Sequence, residues 1–227
     1  ASLDRYHQTS YWKSHSFIKR LISLERTSES FYSEYYQWGK HVVGPLLVVF
    51  THLLYNEVQK NGEKHLFFIA RDGYLLKKLF LKFAEHNGSA SEMRINYLSI
   101  SRYTAVLASI HDLGEREILL LRIGCNRLKE IFLRLGVTDY EDVSHIFVDL
   151  GLEWDETLDE AKMIQALRRL FAHQAFRATV FDAARRMREG LSSYLKQKGF
   201  FAPAQNVAFI DIGWLGTIQS CVEIAFN

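Results

Sequence analysis

Proline is almost absent from this chain, with 2 among 227 residues. A proline-rich linker is excluded, and long helices meet few obligatory breaks. Cysteine is equally sparse, at 2 residues. Cys125 and Cys221 lie far apart, each in an apolar helical pattern. They build neither a disulfide framework nor a metal-ligand spacing, and a reducing, cytoplasmic setting is the expectation. An excess of charge is missing too. The 28 basic and 26 acidic residues leave a net +2, so charge gives no case for a nucleic-acid partner. No apolar run approaches the roughly 18 residues that read as a membrane span. The polar start Ser2-Leu3-Asp4-Arg5 is not a signal peptide. A Walker-type phosphate loop is excluded, because no Gly-Lys-Ser/Thr occurs. The histidines are scattered without ligand spacing.

What is present is apolar and aromatic material, 48% and 14% of the residues. That is enough for a substantial core. The chain is organised around HLFFIARDGYLLKKLF, His65 to Phe80. Leu66 to Ala70 is a short apolar run, the mark of a buried strand. Arg71-Asp72-Gly73 breaks it. Leu75, Leu76, Leu79, Phe80 and Phe83 then recur on one helical face, opposite Lys77, Lys78 and Lys82. The reading is strand, tight turn, amphipathic helix. A second such unit closes the chain: strand Val207 to Ile210, then Asp211-Ile212-Gly213-Trp214-Leu215-Gly216-Thr217, then helix. In open α/β sheets ligands bind outside the carboxyl ends of the strands. One site built from both loops is therefore expected.

The remaining segments follow from the same rules. Residues 1–40 read as a helical lead-in, with one helix over Ser16 to Leu24. The aromatic group Phe31, Tyr32, Tyr35, Tyr36 and Trp38 fits core packing better than a carbohydrate surface. Gly44-Pro45 starts a helix over Leu46 to Gln59, apolar on nearly every face and expected to be buried against the sheet. A second strand, Ile95 to Ile100, ends at Ser101-Arg102. From Thr104 to Gly199 the periodicity is helical, over Leu119 to Ile123, Leu128 to Leu135, Met163 to Phe171 and Phe176 to Leu195. Thr138-Asp139-Tyr140-Glu141 resembles a capping box that opens a short helix. The acidic run Glu153, Asp155, Glu156, Asp159, Glu160 reads as a solvated helix face. The domain organisation is then 1–40, 41–103, a helical insertion or lid over 104–200, and a closing strand and helix over 201–227. The helical pattern still running at Ala225-Phe226-Asn227 suggests a piece of a longer protein.

Several side chains carry chemical possibilities. Arg71 offers a planar fork for phosphate or carboxylate. Gly73 supplies a positive φ or room for a ligand. Asp72 fits a helix cap, a metal ligand or a base. Asp211 follows four apolar strand residues, where a lone carboxylate needs a partner. Gly213, Gly216 and Thr217 open a helix whose free N–H groups favour phosphate. Trp214 suits stacking on a sugar or base, and Ser101 with Arg102 adds a hydroxyl and a guanidinium. Each also has a structural reading, as a cap, a turn or an internal ion pair.

The segments GPLLVVF, FFIARDGYLLKKLF, INYLSISR and VAFIDIGWLGTIQ resemble a group of large bacterial predicted hydrolases of the haloacid dehalogenase superfamily. These are often encoded among surface-polysaccharide genes. In that group the segments lie downstream of the hydrolase core, and the core's paired-aspartate strand signature does not occur here. The resemblance therefore assigns no nucleophile. A more distant similarity is to phosphoribosyltransferases, in the order of an Arg-x-Gly loop and a later acidic strand end running into Gly-Thr. Asp72 stands where those enzymes usually have glycine. Together the resemblances imply a small, mostly parallel, Rossmann-like α/β sheet with a large helical insertion. They imply a phosphorylated sugar or nucleotide-sugar ligand, with neighbouring domains of the same polypeptide as partners. Asp211 and Asp72 would be the catalytic acids, and Arg71, Gly73, Ser101, Arg102, Gly213, Trp214, Gly216, Thr217 and Gln219 the binding residues. A divalent metal such as magnesium is compatible, though no ligand set is assigned. A non-catalytic positioning module is the alternative.

Overall fold

A computed structural model of the protein describes residues 34–201, 206–213 and 216–226. The proposed helix over Ser16 to Leu24, Phe31, Tyr32 and Trp214 lie outside the described residues, and so does the side chain of Tyr35. The chain divides into two compact units. The first holds residues up to Tyr97 together with Gln205–Ile210. The second holds Leu98–Ala204 and Asp211–Asn227.

The first unit begins with α1 (Glu34–Trp38), a π-helical turn (Gly39–Val43) and α2 (Gly44–Asn61). The π turn has a local cause. Pro45 cannot donate to the preceding turn, and the Gly44 N–H reaches back to the Gly39 carbonyl instead. Gly62 ends α2 at φ 67° and donates to Gln59 and Val58. The strand β1 (His65–Ile69) is buried at every position. That explains its unbroken apolar run, as a central strand covered on both faces. Next come α3 (Asp72–His86), a 3-10 turn (Ala90–Glu92) and β2 (Arg94–Leu98), and later β3 (Val207–Ile210). The sheet is parallel, with order β2-β1-β3. Phe67 is opposite Phe209 and Phe68 opposite Ile210. Leu66, Phe68, Leu76, Phe80 and Phe83 form the centre of this unit's core. Each such side chain contributes about 1.5–3 kcal/mol by leaving water.

Three expectations about this unit need correction. Tyr36 and Trp38 lie exposed, at 43% and 61%, and are not packed in a core. Leu75 faces solvent; α3 buries Gly73, Leu76, Phe80, Phe83 and Ala84. Nor is α2 buried all round. It buries Val48, Thr51, His52, Tyr55 and Val58, while Leu46 (65% exposed), Phe50 and Leu53 lie outward. The buried polar groups are bonded: Thr51 Oγ1 donates to the Leu47 carbonyl at 2.7 Å, and His52 Nε2 meets Asn56 Nδ2 at 3.1 Å. Burial follows the hydrogen-bonded face here, not hydropathy alone. By length and composition the helical run Tyr36–Asn61 could cross a membrane. Thr51 and His52 interrupt its apolar runs in the sequence.

After Leu98, the last residue of β2, the regular elements of the second unit among the described residues are helices: α4 (Arg102–Ala108), α5 (Glu115–Leu121), α6 (Leu128–Arg134), α7 (Ser144–Leu150), α8 (Glu160–Ala172), α9 (Gln174–Gln197) and α10 (Thr217–Phe226). Its core is mostly aliphatic around a group of phenylalanines, with Phe132 5.1 Å from Phe147 and 5.2 Å from Phe176 between ring centres. The closing helix α10, assigned by the sequence to the α/β domain, packs on α4. Thr138 to Glu141 does not open a helix. Asp139 Oδ1 accepts from the Glu141 N–H in a local turn, and α7 starts at Ser144. The acidic run is mostly loop. Asp155 pairs with Arg127 and Lys129, and Asp159 caps α8 through the Lys162 N–H.

Candidate functional site

The first unit's site grows from the turn between β1 and α3. Arg71 holds φ 70° and ψ −92°, the region of the strained γ-turn. It is the one non-glycine residue with positive φ among the described residues. The expected positive φ at Gly73 does not occur, because Gly73 has another task. It is buried against Phe68, and a side chain there would collide with the strand. With α3 pressed this close to β1, the turn has only Ala70 and Arg71 to reverse direction in, and the strain falls on Arg71. Such strain costs of order 1–3 kcal/mol and persists where its surroundings over-determine it.

Those surroundings are visible. The Arg71 N–H donates to the hydroxyl of Tyr97 on β2 at 3.0 Å. Tyr97 in turn meets the ring of Tyr74 edge-on at 5.9 Å. The ammonium of Lys78, one turn along α3, lies 4.4 Å from the centre of the Tyr74 ring. The hydrogen bond and charge of Lys78 lower the Tyr74 pKa below its ordinary value. The Arg71 guanidinium and the Asp72 carboxylate have no hydrogen-bond or ion-pair partner among the described residues, and both are exposed. Asp72 is the first residue of α3, and no side-chain cap closes that helix. The turn thus presents a guanidinium, a carboxylate and an exposed tyrosine whose ring carries the Lys78 ammonium.

Connections leave β1 toward β2 on one side and reach β3 on the other. The order therefore reverses at β1, and a crevice at the carboxyl ends of the strands is the usual ligand position in such sheets. Phe68 pairs with Ile210, so β1 and β3 end side by side.

The remaining predicted residues belong to the second unit. Ser101 is the N-cap of α4: its Oγ accepts from the Thr104 N–H at 3.0 Å and shares a hydrogen with Thr104 Oγ1 at 2.9 Å. Arg102 starts α4 and lines a small cavity of 170 Å³ with Tyr103, Val106 and Arg134. Asp211 Oδ1 accepts from the Gly213 N–H at 3.0 Å. Gly216 takes φ 58°, and its carbonyl accepts from the Ser220 N–H. Thr217 opens α10, where Gln219 donates to Glu223. Among the described residues no three His, Cys, Asp or Glu side chains gather into a metal-ligating group.

Tyr97, Tyr74 and Lys78 are the members of the first site that the sequence reading missed. Tyr74 and Lys78 carried a signal, the i,i+4 spacing that places a cation over a ring. Tyr97 carried none, because its bond to Arg71 depends on strand pairing. No protein-family model matches the chain, and no curated protein matches it either.

Proposed function

We propose that the protein acts in bacterial surface-polysaccharide assembly in the cytoplasm, and that its Rossmann-like domain binds a phosphorylated sugar or nucleotide sugar. The observation that carries this reading is the unpartnered Arg71 guanidinium on a strained strand-to-helix turn. Residues held in strained backbone conformations cluster at active sites and ligand clamps. Arg71 offers a bidentate fork to phosphate, worth about 1.5–3 kcal/mol as a charge-assisted bond. Lys78 adds a second cation. The ring of Tyr74, a residue 54% exposed, suits the apolar face of a sugar ring. Asp72, with a free carboxylate, is the acid or base of a transfer or hydrolysis step, and the group a phosphate-bound magnesium would meet. Together these contacts support millimolar to micromolar binding after ordering costs.

The second unit has its own phosphate candidates in Arg102 and the start of α10 at Gly216 and Thr217. The non-catalytic reading draws on one observation, that Asp211 is engaged by the Gly213 N–H. Isothermal titration with sugar phosphates and nucleotide sugars tests the proposal. Binding weakened roughly tenfold or more by Arg71→Ala supports it. Absence of binding to the folded protein, or an unaffected Arg71→Ala, leaves the positioning module as the better account. Arg102→Ala in the same titration tests the second unit separately.

A further inference from the structure

The second unit contains a groove of 390 Å³ between α4, the end of α6 and α9. Leu107, Leu135, Met187 and Leu191 form its apolar walls, and the rings of Tyr103 and Tyr194 border it. This volume is in the range of small-molecule sites. The Tyr194 hydroxyl accepts from the Ser99 N–H at 2.9 Å, which fixes that ring.

Two features of the groove bear on what it could hold. The first is Gly190, inside the 24-residue helix α9. Glycine in a helix interior is about 1 kcal/mol less favourable than alanine. Its φ is ordinary, and a β-carbon there would meet nothing within 4 Å. Neither backbone geometry nor packing requires glycine at this point. A ligand lying on the helix backbone would account for it.

The second feature is Arg134, a residue of the same groove whose guanidinium also ties down the end of α5. Its Nη1 donates to the carbonyls of Leu121 and Ile123 at 3.2 and 2.7 Å, and Nη2 to that of Gly124 at 3.5 Å. These bonds place the guanidinium but do not neutralise it. Among the described residues no carboxylate forms an ion pair with Arg134. The Nε–H and one Nη2 hydrogen remain for another acceptor. By contrast Arg186, on the same rim, is paired with Asp182.

We propose that this groove binds a small amphipathic organic anion, an aromatic or branched aliphatic body with one acidic group, the acid on Arg134 and the body across Gly190. The site is separate from the Arg71 turn and does not depend on the reading given to that turn.

The test uses the full chain and two fluorescent probes of similar body. Anilinonaphthalene sulfonate carries an acidic group, and phenylnaphthylamine is its neutral counterpart. The sulfonate should bind saturably at one site, roughly tenfold or more tighter than the neutral probe. Gly190→Leu, which fills the groove, should abolish that binding while circular dichroism stays unchanged. Gly190→Ala should raise the melting temperature and weaken the sulfonate, and it serves if the leucine variant does not fold. Equal affinity for the two probes overturns the anion assignment. Unchanged sulfonate binding in the folded Gly190 variants, or binding at many sites without saturation, overturns the groove as the site.

Discussion

Gly73 lies flat on Phe68: a β-carbon at residue 73 would stand 2.9 Å from the Phe68 carbonyl carbon and 3.2 Å from its β-carbon. The clash is with backbone, which cannot rotate away. Gly73→Ala should therefore push α3 off β1 and cost about 1–3 kcal/mol, the range for overpacking a filled core. Urea denaturation measures this. A loss below about 0.5 kcal/mol would mean that the helix slides freely along the strand.

The same close approach predicts an inverted ranking at Arg71. At ordinary positions alanine is more stable than glycine by about 0.4–1 kcal/mol, through the unfolded chain. At φ 70° the strain on any β-carbon should reverse this. Arg71→Gly should exceed Arg71→Ala in stability by about 1–2 kcal/mol, since strain of this kind costs about 1–3. Both variants lack the guanidinium, so both should lose sugar-phosphate binding equally. Alanine matching or exceeding glycine would show that Arg71 is not strained.

Arg168 clamps Glu115 with Nε and Nη2, each 2.9 Å from a carboxylate oxygen. The bond to Arg168 holds the Glu115 carboxyl below its ordinary value of 4.5. A carboxylate whose folded pKa is depressed adds stability above its unfolded pKa and loses it as the pH falls through the folded value. The pair is exposed, so the effect is small and weakens with salt. Glu115→Gln should be less stable than the parent at neutral pH, and the two melting curves should converge as the solution is acidified below about pH 4.5. A difference that stays constant through that window would assign the loss to packing.

How far the sequence could be read depends on where each signal is stored. β1 is central and buried on both faces, so His65 to Ile69 writes its role as a continuous apolar run. The long helices α8 and α9 write theirs as periodicity, each burying one stripe. Helix α2 misleads because Thr51 and His52 go inward with hydrogen bonds while Leu46 and Leu53 stay out. The turn residues were legible as a group, but not their division of labour. Glycine usually takes the positive φ, yet Gly73 was needed for its missing side chain and Arg71 took the strain. Tyr97 reaches Arg71 only after β2 pairs with β1, and no local pattern encodes that.

Ser101 is the residue where the capping and phosphate readings can be separated by one pair of substitutions. Its Oγ accepts from the Thr104 N–H at 3.0 Å, and α4 is only 7 residues long. A helix this short depends heavily on its cap. Ser101→Ala should cost about 1 kcal/mol, the usual loss for removing an N-cap oxygen. Aspartate caps as well as serine does, so Ser101→Asp should melt with the parent protein. Its carboxylate would also repel a phosphate placed at the same helix start. Both sides of the Ser101 hydroxyl face Thr104, so sugar-phosphate binding is expected to survive Ser101→Asp within about twofold, less than 0.5 kcal/mol. A loss of tenfold or more in the folded aspartate variant would bring Ser101, and with it Arg102, into the anion site. Melting curves and the titration on the same preparations decide it.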